Sequence, residues 1–149
     1  MVIGFRCTPK EIIVVALDGT KKMPKLLTRD RLVRPKNLSD PAFYSWLRKE
    51  ITDLLKTNDP RKVVYKKAEH SPHRSSSTER RALVEAILEL AAYDCDLKQV
   101  KGLTKAQLAA ALQFEGKPKD VLDALTGTPL AAVGDDGTKE AALAALSVL

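Results

Sequence analysis

Three runs of apolar residues open the chain, and each has the length and composition of a β-strand. They are VIGFRC from Val2, EIIVVALDG from Glu11 and KLLTRDRLV from Lys25, all rich in Val, Ile, Leu or Thr and bounded by turn residues. Only residues 8–10 separate the first two runs, which is too short for anything but an antiparallel hairpin. The Asp18-Gly19 pair is typical of the next turn. The pattern therefore predicts a three-stranded antiparallel meander.

The spacing of apolar residues then changes to that of an amphipathic helix. Asp40 followed by Pro41 is a helix-start signature, with Asp40 as the N-cap. The expected helix ends at Asn58 and Asp59, and a strand, KVVYK, follows it. A strand after such a helix returns beside the meander most simply as a parallel neighbour, through a right-handed crossover.

The rest of the chain is predicted to be mainly helical. A polar loop, AEHSPHRSSSTERR, leads into a helix from Thr78 to Tyr93, for which Ser76 and Glu79 have capping-box spacing. A short fifth strand is expected around LKQV. Three helical segments follow. The first begins with a capping-box pair at Thr104, the second begins at Pro118, and the third is the stretch TKEAALAALSVL.

This order of elements predicts an α/β fold in a single domain over residues 1–149. It also resembles the ribonuclease H-like superfamily and, within it, the Holliday-junction resolvase (RuvC-type) branch. The resemblance covers nearly the whole chain and rests on element type and spacing in VIGFRCTPKEIIVVALDG, RKVVYKKAEH, ERRALVEAILELAA, LTKAQLAAALQFEGKPKDVL and KEAALAALSVL. It implies a ribonuclease H-like mixed sheet, an antiparallel three-stranded meander plus parallel strands, flanked by helices.

The resemblance also implies chemistry, because enzymes of that superfamily cleave phosphodiesters with two metal ions held by carboxylates. The carboxylates lie on the first strand, the fourth strand and the last helix. Where the family has Gly-hydrophobic-Asp, this chain has Gly4, Phe5 and Arg6. The fourth-strand position falls on Tyr65 or Lys66, and a one-residue shift of register would exchange them. The resemblance therefore implies a degenerate active site.

Arg6 has two interpretations on this basis. It can form an ion pair with Glu140 that holds the sheet to the last helix, or it can bind a phosphate through its planar fork of donors. In the second case Lys66, Lys67 and Arg74 are further candidates for phosphate or anion binding. No cofactor is expected under either interpretation.

Two alternatives retain metal chemistry. A divergent nuclease using Mg²⁺ or Mn²⁺ would rely on Glu69 and Glu140, with Asp18 or the histidines as additional groups. A zinc or manganese site would use Glu69, His70 and His73, which lie within five residues at the end of the fourth strand.

Charge adds a prediction about partners. Residues 1–81 carry 19 Lys and Arg against 9 Asp and Glu, whereas residues 82–149 carry 6 against 10. A basic half favours a polyanion such as nucleic acid, and Arg61, Lys62, Lys66 and Lys67 are expected to cluster with the Ser-rich loop at one end of strand four. Nucleic acid is thus the leading partner. Another protein or a second copy is the alternative, through the Ala-rich last helix or the edge of the third strand.

The sequence contains no run long and apolar enough to cross a membrane and no signal-peptide pattern, so a cytoplasmic location is expected. Cys7 and Cys95 have no metal-ligand spacing and are interpreted as buried thiols.

Overall fold

The computed structural model describes residues 1–70, 72–73, 75–97 and 99–149. Its centre is a five-stranded mixed sheet with the strand order β3-β2-β1-β4-β5. The strands are β1 Val2–Cys7, β2 Glu11–Gly19, β3 Pro24–Val33, β4 Val63–Lys66 and β5 Val100–Leu103. The helices are α1 Asp40–Asn58, α2 Ser76–Tyr93, α3 Lys105–Ala111, a 3-10 helix Pro118–Leu125 and α4 Asp136–Val148.

The sheet has the predicted topology. β1 pairs antiparallel with β2, β2 pairs antiparallel with β3, and β4 lies parallel to β1 on its other side. The fifth strand exists and is parallel to β4, but it begins where LKQV ends. The meander with parallel additions is therefore confirmed, and β1 is the central strand.

Side chains alternate along β1 and β2, so each face of the sheet has its own core. Ile3, Phe5 and Cys7 of β1 face α1 and α2. On the other face, Val2 of β1 and every second residue of β2 from Ile13 onwards pack against α3, the 3-10 helix and α4. Helices thus cover both faces, as the sequence predicts. Burial raises the pKa of the Cys7 thiol, which keeps it protonated. Cys95 is only partly buried, so the prediction of two buried thiols holds for Cys7 alone.

Two helix N-caps lie one residue earlier than the sequence predicts, and α2 begins at Ser76 rather than Thr78. The N-cap of α1 is Ser39, whose hydroxyl accepts from the Ala42 amide, and Asp40 is the first helical residue. The N-cap of α2 is Ser75 rather than Ser76, because it is the Ser75 hydroxyl that accepts from the Thr78 amide. The Thr104 capping box of α3 is confirmed.

Gly4 lets α4 lie directly on the sheet. A Cβ at Gly4 would come within 2.1 Å of the Ala141 carbonyl oxygen and 2.5 Å of the Ala145 amide nitrogen, so a larger residue here would push the helix away. The close approach brings residue 140 of α4 over residue 6 of β1. Glycine at position 4 thus sets the geometry of the site described below.

The last helix is not available to a second copy, contrary to one of the alternatives above. Its residues 141–146 are all buried within the chain's own core. By contrast, nearly all of β3 is exposed at the edge of the sheet. Within the described ranges, no helix has the length and apolar character needed to cross a membrane.

Candidate functional site

Arg6 and Lys66 lie side by side at the carboxyl ends of the two central parallel strands. They are directly paired in the β1–β4 register, so their side chains project from the same face, the face covered by α4. Tyr65 projects to the opposite face, where its hydroxyl donates to Glu89. The register therefore places Lys66, not Tyr65, beside the first-strand position.

Arg6 forms the ion pair with Glu140 that the sequence suggested. Its Nε lies 2.5 Å from Glu140 Oε2, and both side chains are mostly buried. The guanidinium also donates to the Cys7 carbonyl oxygen. Lys105, at the start of α3, places its Nζ 3.8 Å from Glu140 Oε1, so one carboxylate of α4 serves two cations.

Lys66 is enclosed rather than offered to solvent, with only 2% of its side chain exposed. Its Nζ donates to the Lys67 carbonyl oxygen at 2.6 Å and to Glu69 Oε1 at 2.5 Å. Burial lowers the pKa of Lys66, and the Glu69 carboxylate opposes that shift. The ammonium therefore acts through its internal partners.

Glu69 joins the end of β4 to α3. Besides the Lys66 ammonium, it accepts the Lys105 amide at 2.9 Å. Partial burial alone would raise the pKa of Glu69, but these two hydrogen bonds and the positive charges of Lys66 and Lys105 outweigh it, and the net shift is downward. The carboxylate is thus held ionised by contacts within the chain.

Sequence reasoning missed a third part of the site, supplied by α2. Arg81 Nε lies 3.0 Å from Glu85 Oε1, and the Arg81 guanidinium also donates to the Lys66 carbonyl oxygen at 2.8 Å. Glu85 in turn accepts the Ala68 amide, and burial lowers the pKa of Arg81. The signal was in the sequence: Arg81 and Glu85 are four residues apart beside Val84 and Leu88, on the apolar face of the helix.

The site does not fit the two metal ions that the fold implies. Two divalent metal ions require several convergent carboxylates. Here the positively charged side chains of Arg6 and Lys66 occupy the candidate positions on β1 and β4. Among residues 1–70, 72–73, 75–97 and 99–149, no three His, Cys, Asp or Glu side chains form a group that could hold a metal ion. Glu140 and Glu69 each contact cations of the chain instead.

The remaining acidic and histidine candidates do not complete such a group. Asp18 is at the other end of the sheet, where its carboxylate lies 3.3 Å from the amino group of Met1. Glu69, His70 and His73 follow β4 in sequence, but the described structure does not bring them together as ligands of one metal. The histidine site is therefore not formed.

The basic residues expected to bind a phosphate or another anion lie in separate parts of the structure. Lys67 is exposed just after β4, and Arg74 lies outside the described residues. Arg61 and Lys62 precede β4, where the Arg61 amide donates to the Met1 carbonyl oxygen and Lys62 reaches the Val148 carbonyl oxygen. The prediction of one cluster was wrong in this respect, because the length of β4 separates these two cations from Lys66 and Lys67.

Comparisons with known proteins find likeness in structure only. No protein-family model matches the sequence, and no curated protein matches it. Among solved structures, RuvC of T. thermophilus in complex with a Holliday junction substrate superposes with a TM-score of 0.75 at 12% identity, over 98% of this chain and 90% of that one. The yeast mitochondrial Holliday junction resolvase gives 0.63 at 10% identity, over 98% and 77%. The fowlpox virus resolvase with Holliday junction DNA gives 0.53 at 15% identity, over 99% and 97%.

These likenesses establish the fold. The chain has the ribonuclease H-like fold, and its structural neighbours are RuvC and other Holliday junction resolvases. At such low identity the fold alone does not carry activity across.

Proposed function

We propose that this chain is a nucleic-acid-binding or scaffolding module whose ribonuclease H-like site is catalytically degenerate. The observation that carries the proposal is the in-register pair of Arg6 and Lys66 on the central parallel strands. The superfamily holds metal-binding carboxylates at such strand positions. Cations there repel a divalent metal instead of binding it, and Glu140 is already engaged by Arg6.

Nucleic acid is the proposed partner for two reasons. The neighbours from T. thermophilus and fowlpox virus were both solved with Holliday junction DNA, so the fold supports that kind of contact. In addition, the chain carries a net charge of +6, concentrated in residues 1–81, and a basic surface attracts a phosphate backbone by releasing counterions.

Binding is tested with fluorescently labelled four-way junction and linear duplex of equal length, by anisotropy over a salt series. We expect binding to both at low salt and a steep loss of affinity as salt rises. Replacing Lys66, Lys67 and Arg74 together by Ala should weaken binding about equally for unrelated sequences. The salt slope should shrink by roughly one unit for each phosphate contact removed, and the enclosed Lys66 is not counted among these contacts.

A matched control replaces three exposed lysines elsewhere, Lys22, Lys49 and Lys56, by Ala. It changes the net charge by the same amount but leaves the proposed contact intact, so it should weaken binding less than the first triple variant. Lys66 is buried, so its replacement acts on the internal contacts of the site rather than on a surface contact. Lys67→Ala alone therefore tests the surface contact with nucleic acid. Equal effects of the two triple variants would place the contact elsewhere, and no binding by the parent at low salt would overturn a nucleic-acid partner in favour of a protein one.

Degeneracy is tested separately, by incubating the chain with branched DNA and with RNA–DNA hybrid in Mg²⁺ or Mn²⁺. No cleavage above background is expected. Binding should also be unchanged by EDTA, because the proposed contact uses side-chain cations rather than a metal. Robust cleavage that disappears in Glu140→Ala would instead establish a divergent metal-dependent nuclease.

A further inference from the structure

Strand β3 forms an outer edge of the sheet, and half of that edge is open. Within the described part of the chain its backbone pairs with β2 alone, and most of its side chains are exposed. The first half of the edge carries two features that protect edge strands: Pro24 and a bulge at Leu27, the residue of β3 that the register with β2 skips. Residues 29–33 have neither feature, so they present a regular strand edge.

The hydrogen bonds around β3 show which of its backbone groups face outward. The Arg34 amide donates to the Lys10 carbonyl oxygen at 2.8 Å, and hydrogen-bonded and non-hydrogen-bonded pairs alternate along an antiparallel ladder. Every second residue back from that pair therefore turns its amide and carbonyl away from β2. These residues are Val33, Arg31 and Arg29. The Arg31 amide agrees with this count, because it donates to the carboxylate of the neighbouring Asp30 at 2.7 Å.

The edge has a positive charge on the face covered by α4. Arg29 and Arg31 are paired with β2 residues whose side chains belong to the core under α4, so both arginines lie on that face. Arg31 contacts two carboxylates of the chain. Arg29 donates to the Val133 carbonyl oxygen and has no carboxylate partner among the described residues. Residues 21–31 as a whole carry five Lys or Arg against one Asp, which favours an acidic partner.

These charges disfavour pairing of the edge with the same edge of a second copy. In an antiparallel pair, residues directly opposite each other lie on the same face of the sheet. Any register centred on residues 29–31 therefore places an arginine of one copy against an arginine of the other, which is destabilising. The cations that prevent self-pairing attract an acidic strand instead.

A polypeptide matches the edge better than nucleic acid does. The outward groups of β3 alternate N–H donors with C=O acceptors, and an added strand supplies the opposite groups one for one. Phosphate groups are acceptors, so they would leave the outward carbonyls of β3 without donors. Val33, which is 56% exposed beside the arginines, also offers apolar surface that a side chain of an added strand can cover.

We propose that residues 29–33 of β3 bind an extended acidic segment of another protein, which adds a strand to the sheet. Carboxylates at alternate positions of that segment lie opposite Arg29 and Arg31 on the α4 face. The incoming backbone then takes the Arg31 amide from the Asp30 carboxylate. This inference does not rest on the proposed function, because β2 separates this edge from the Arg6–Lys66 site and peptide binding is measured without nucleic acid.

Backbone pairing is tested with the fluorescein-labelled synthetic peptide TVEVEVT, by anisotropy at constant salt, and saturable binding is expected. Two N-methylated forms of the peptide have the same charge. Methyl groups on both glutamate amides block the edge that faces β3, and they should weaken binding more than about tenfold. Methyl groups on the last two valine amides lie on the far edge of the added strand, and they should change the affinity by less than about threefold.

Charge selection is tested with the basic peptide TVKVKVT, which should not bind, and with variants of the chain. Arg29→Glu should raise the dissociation constant of the acidic peptide about tenfold, since an attractive contact becomes repulsive. Lys101→Glu is the matched control, because Lys101 is an exposed cation on β5, the opposite edge strand. Its variant should bind the peptide like the parent. Circular dichroism shows that each variant is folded.

The outward amide of the chain itself is tested at Val33. Val33→Pro removes this donor without removing a hydrogen bond to β2, whereas Val33→Ala shortens the side chain and keeps the amide. The proline variant should therefore bind the acidic peptide at least about threefold more weakly than the alanine variant.

The proposal is overturned if the acidic peptide fails to bind up to about 1 mM, a range in which even a weak contact is measurable. Equal binding of the two methylated peptides also overturns it, because the contact would then be electrostatic alone, as expected of a surface for nucleic acid. Unchanged affinity in Arg29→Glu, or equal affinity of the two Val33 variants, would place the peptide elsewhere on the chain.

Discussion

Arg6 on β1 and Glu140 on α4 join the central strand to the last helix through an ion pair with 2.5 Å between Nε and Oε2. The pair is possible because Gly4, two residues earlier, lets the helix backbone rest on the strand. In the proposed function, this pair takes the place of a carboxylate that would hold metal.

The first prediction concerns the stability that this pair provides. Arg6→Ala or Glu140→Ala alone should lower the free energy of unfolding by about 2–3 kcal/mol, because each leaves a mostly buried charge without its main partner. The apolar double variant Arg6→Met with Glu140→Leu should lose clearly less than the sum of the single changes. Urea unfolding at neutral pH measures all three, and additive losses would mean that the two groups do not stabilise each other.

The second prediction concerns Lys66. Its pKa is lowered by burial, so the folded chain releases this proton at a lower pH than the unfolded chain, whose lysine has the ordinary value of 10.5. The free energy of unfolding should therefore gain a contribution as pH rises from the lowered value towards 10.5. In Lys66→Met that gain should be absent, because the variant has no ammonium to lose its proton. Urea unfolding over a pH series measures it, and an unchanged pH dependence in the variant would assign the gain to another group.

The third prediction concerns Asp135, the N-cap of α4. Hydrogen bonds from the Thr138 amide and hydroxyl, and from Arg31, lower the pKa of Asp135 to about 2 from its ordinary 3.8. Stability from the carboxylate is then fully present above about pH 4 and lost as pH falls through about 2. Asp135→Asn keeps a cap but loses this charge, so it should be less stable than the parent at pH 7, and the difference should shrink as pH falls through about 2. A difference that does not change with pH would assign the effect to capping geometry alone.

The sequence was sufficient for the fold because local signals and connection lengths agree. A three-residue connection forces the β1–β2 hairpin, and a helix between strands returns β4 beside β1. It was less precise at helix starts, where adjacent polar residues compete for one role. Ser39 and Asp40 are both good caps, as are Ser75 and Ser76, and only the backbone geometry decides between them.

The site was predictable only in part. The resemblance identified Arg6 and Glu140 as a pair, since it aligns the first strand and last helix. It did not decide whether Tyr65 or Lys66 occupies the fourth-strand position of the site. Neighbouring residues of a strand face opposite sides of the sheet, and the sequence does not fix the register of a four-residue strand. Arg81, Glu85 and Lys105 were missed because their contacts cross from α2 and α3 to the end of β4, which depends on packing.

The last prediction tests whether the Arg6–Lys66 position corresponds to the metal site of the fold. Arg6→Asp with Lys66→Glu would place two carboxylates beside Glu140, on the same face of adjacent strands. Without metal this variant should be destabilised by repulsion among like charges. Mn²⁺ should raise its thermal unfolding midpoint in a concentration-dependent manner, because a ligand that binds only the folded chain stabilises it, whereas the parent should not respond.

The neutral double variant Arg6→Asn with Lys66→Gln separates charge from the loss of the original contacts. It also removes the Arg6–Glu140 ion pair and the Lys66 ammonium, but it adds no carboxylate, so its unfolding midpoint should not depend on Mn²⁺. A response in both double variants would mean that loss of the cations alone exposes a metal site around Glu140. No response in the acidic variant, provided that it is folded by circular dichroism, would show that the strand ends are not arranged to hold a metal, and the correspondence between the two sites would then be wrong.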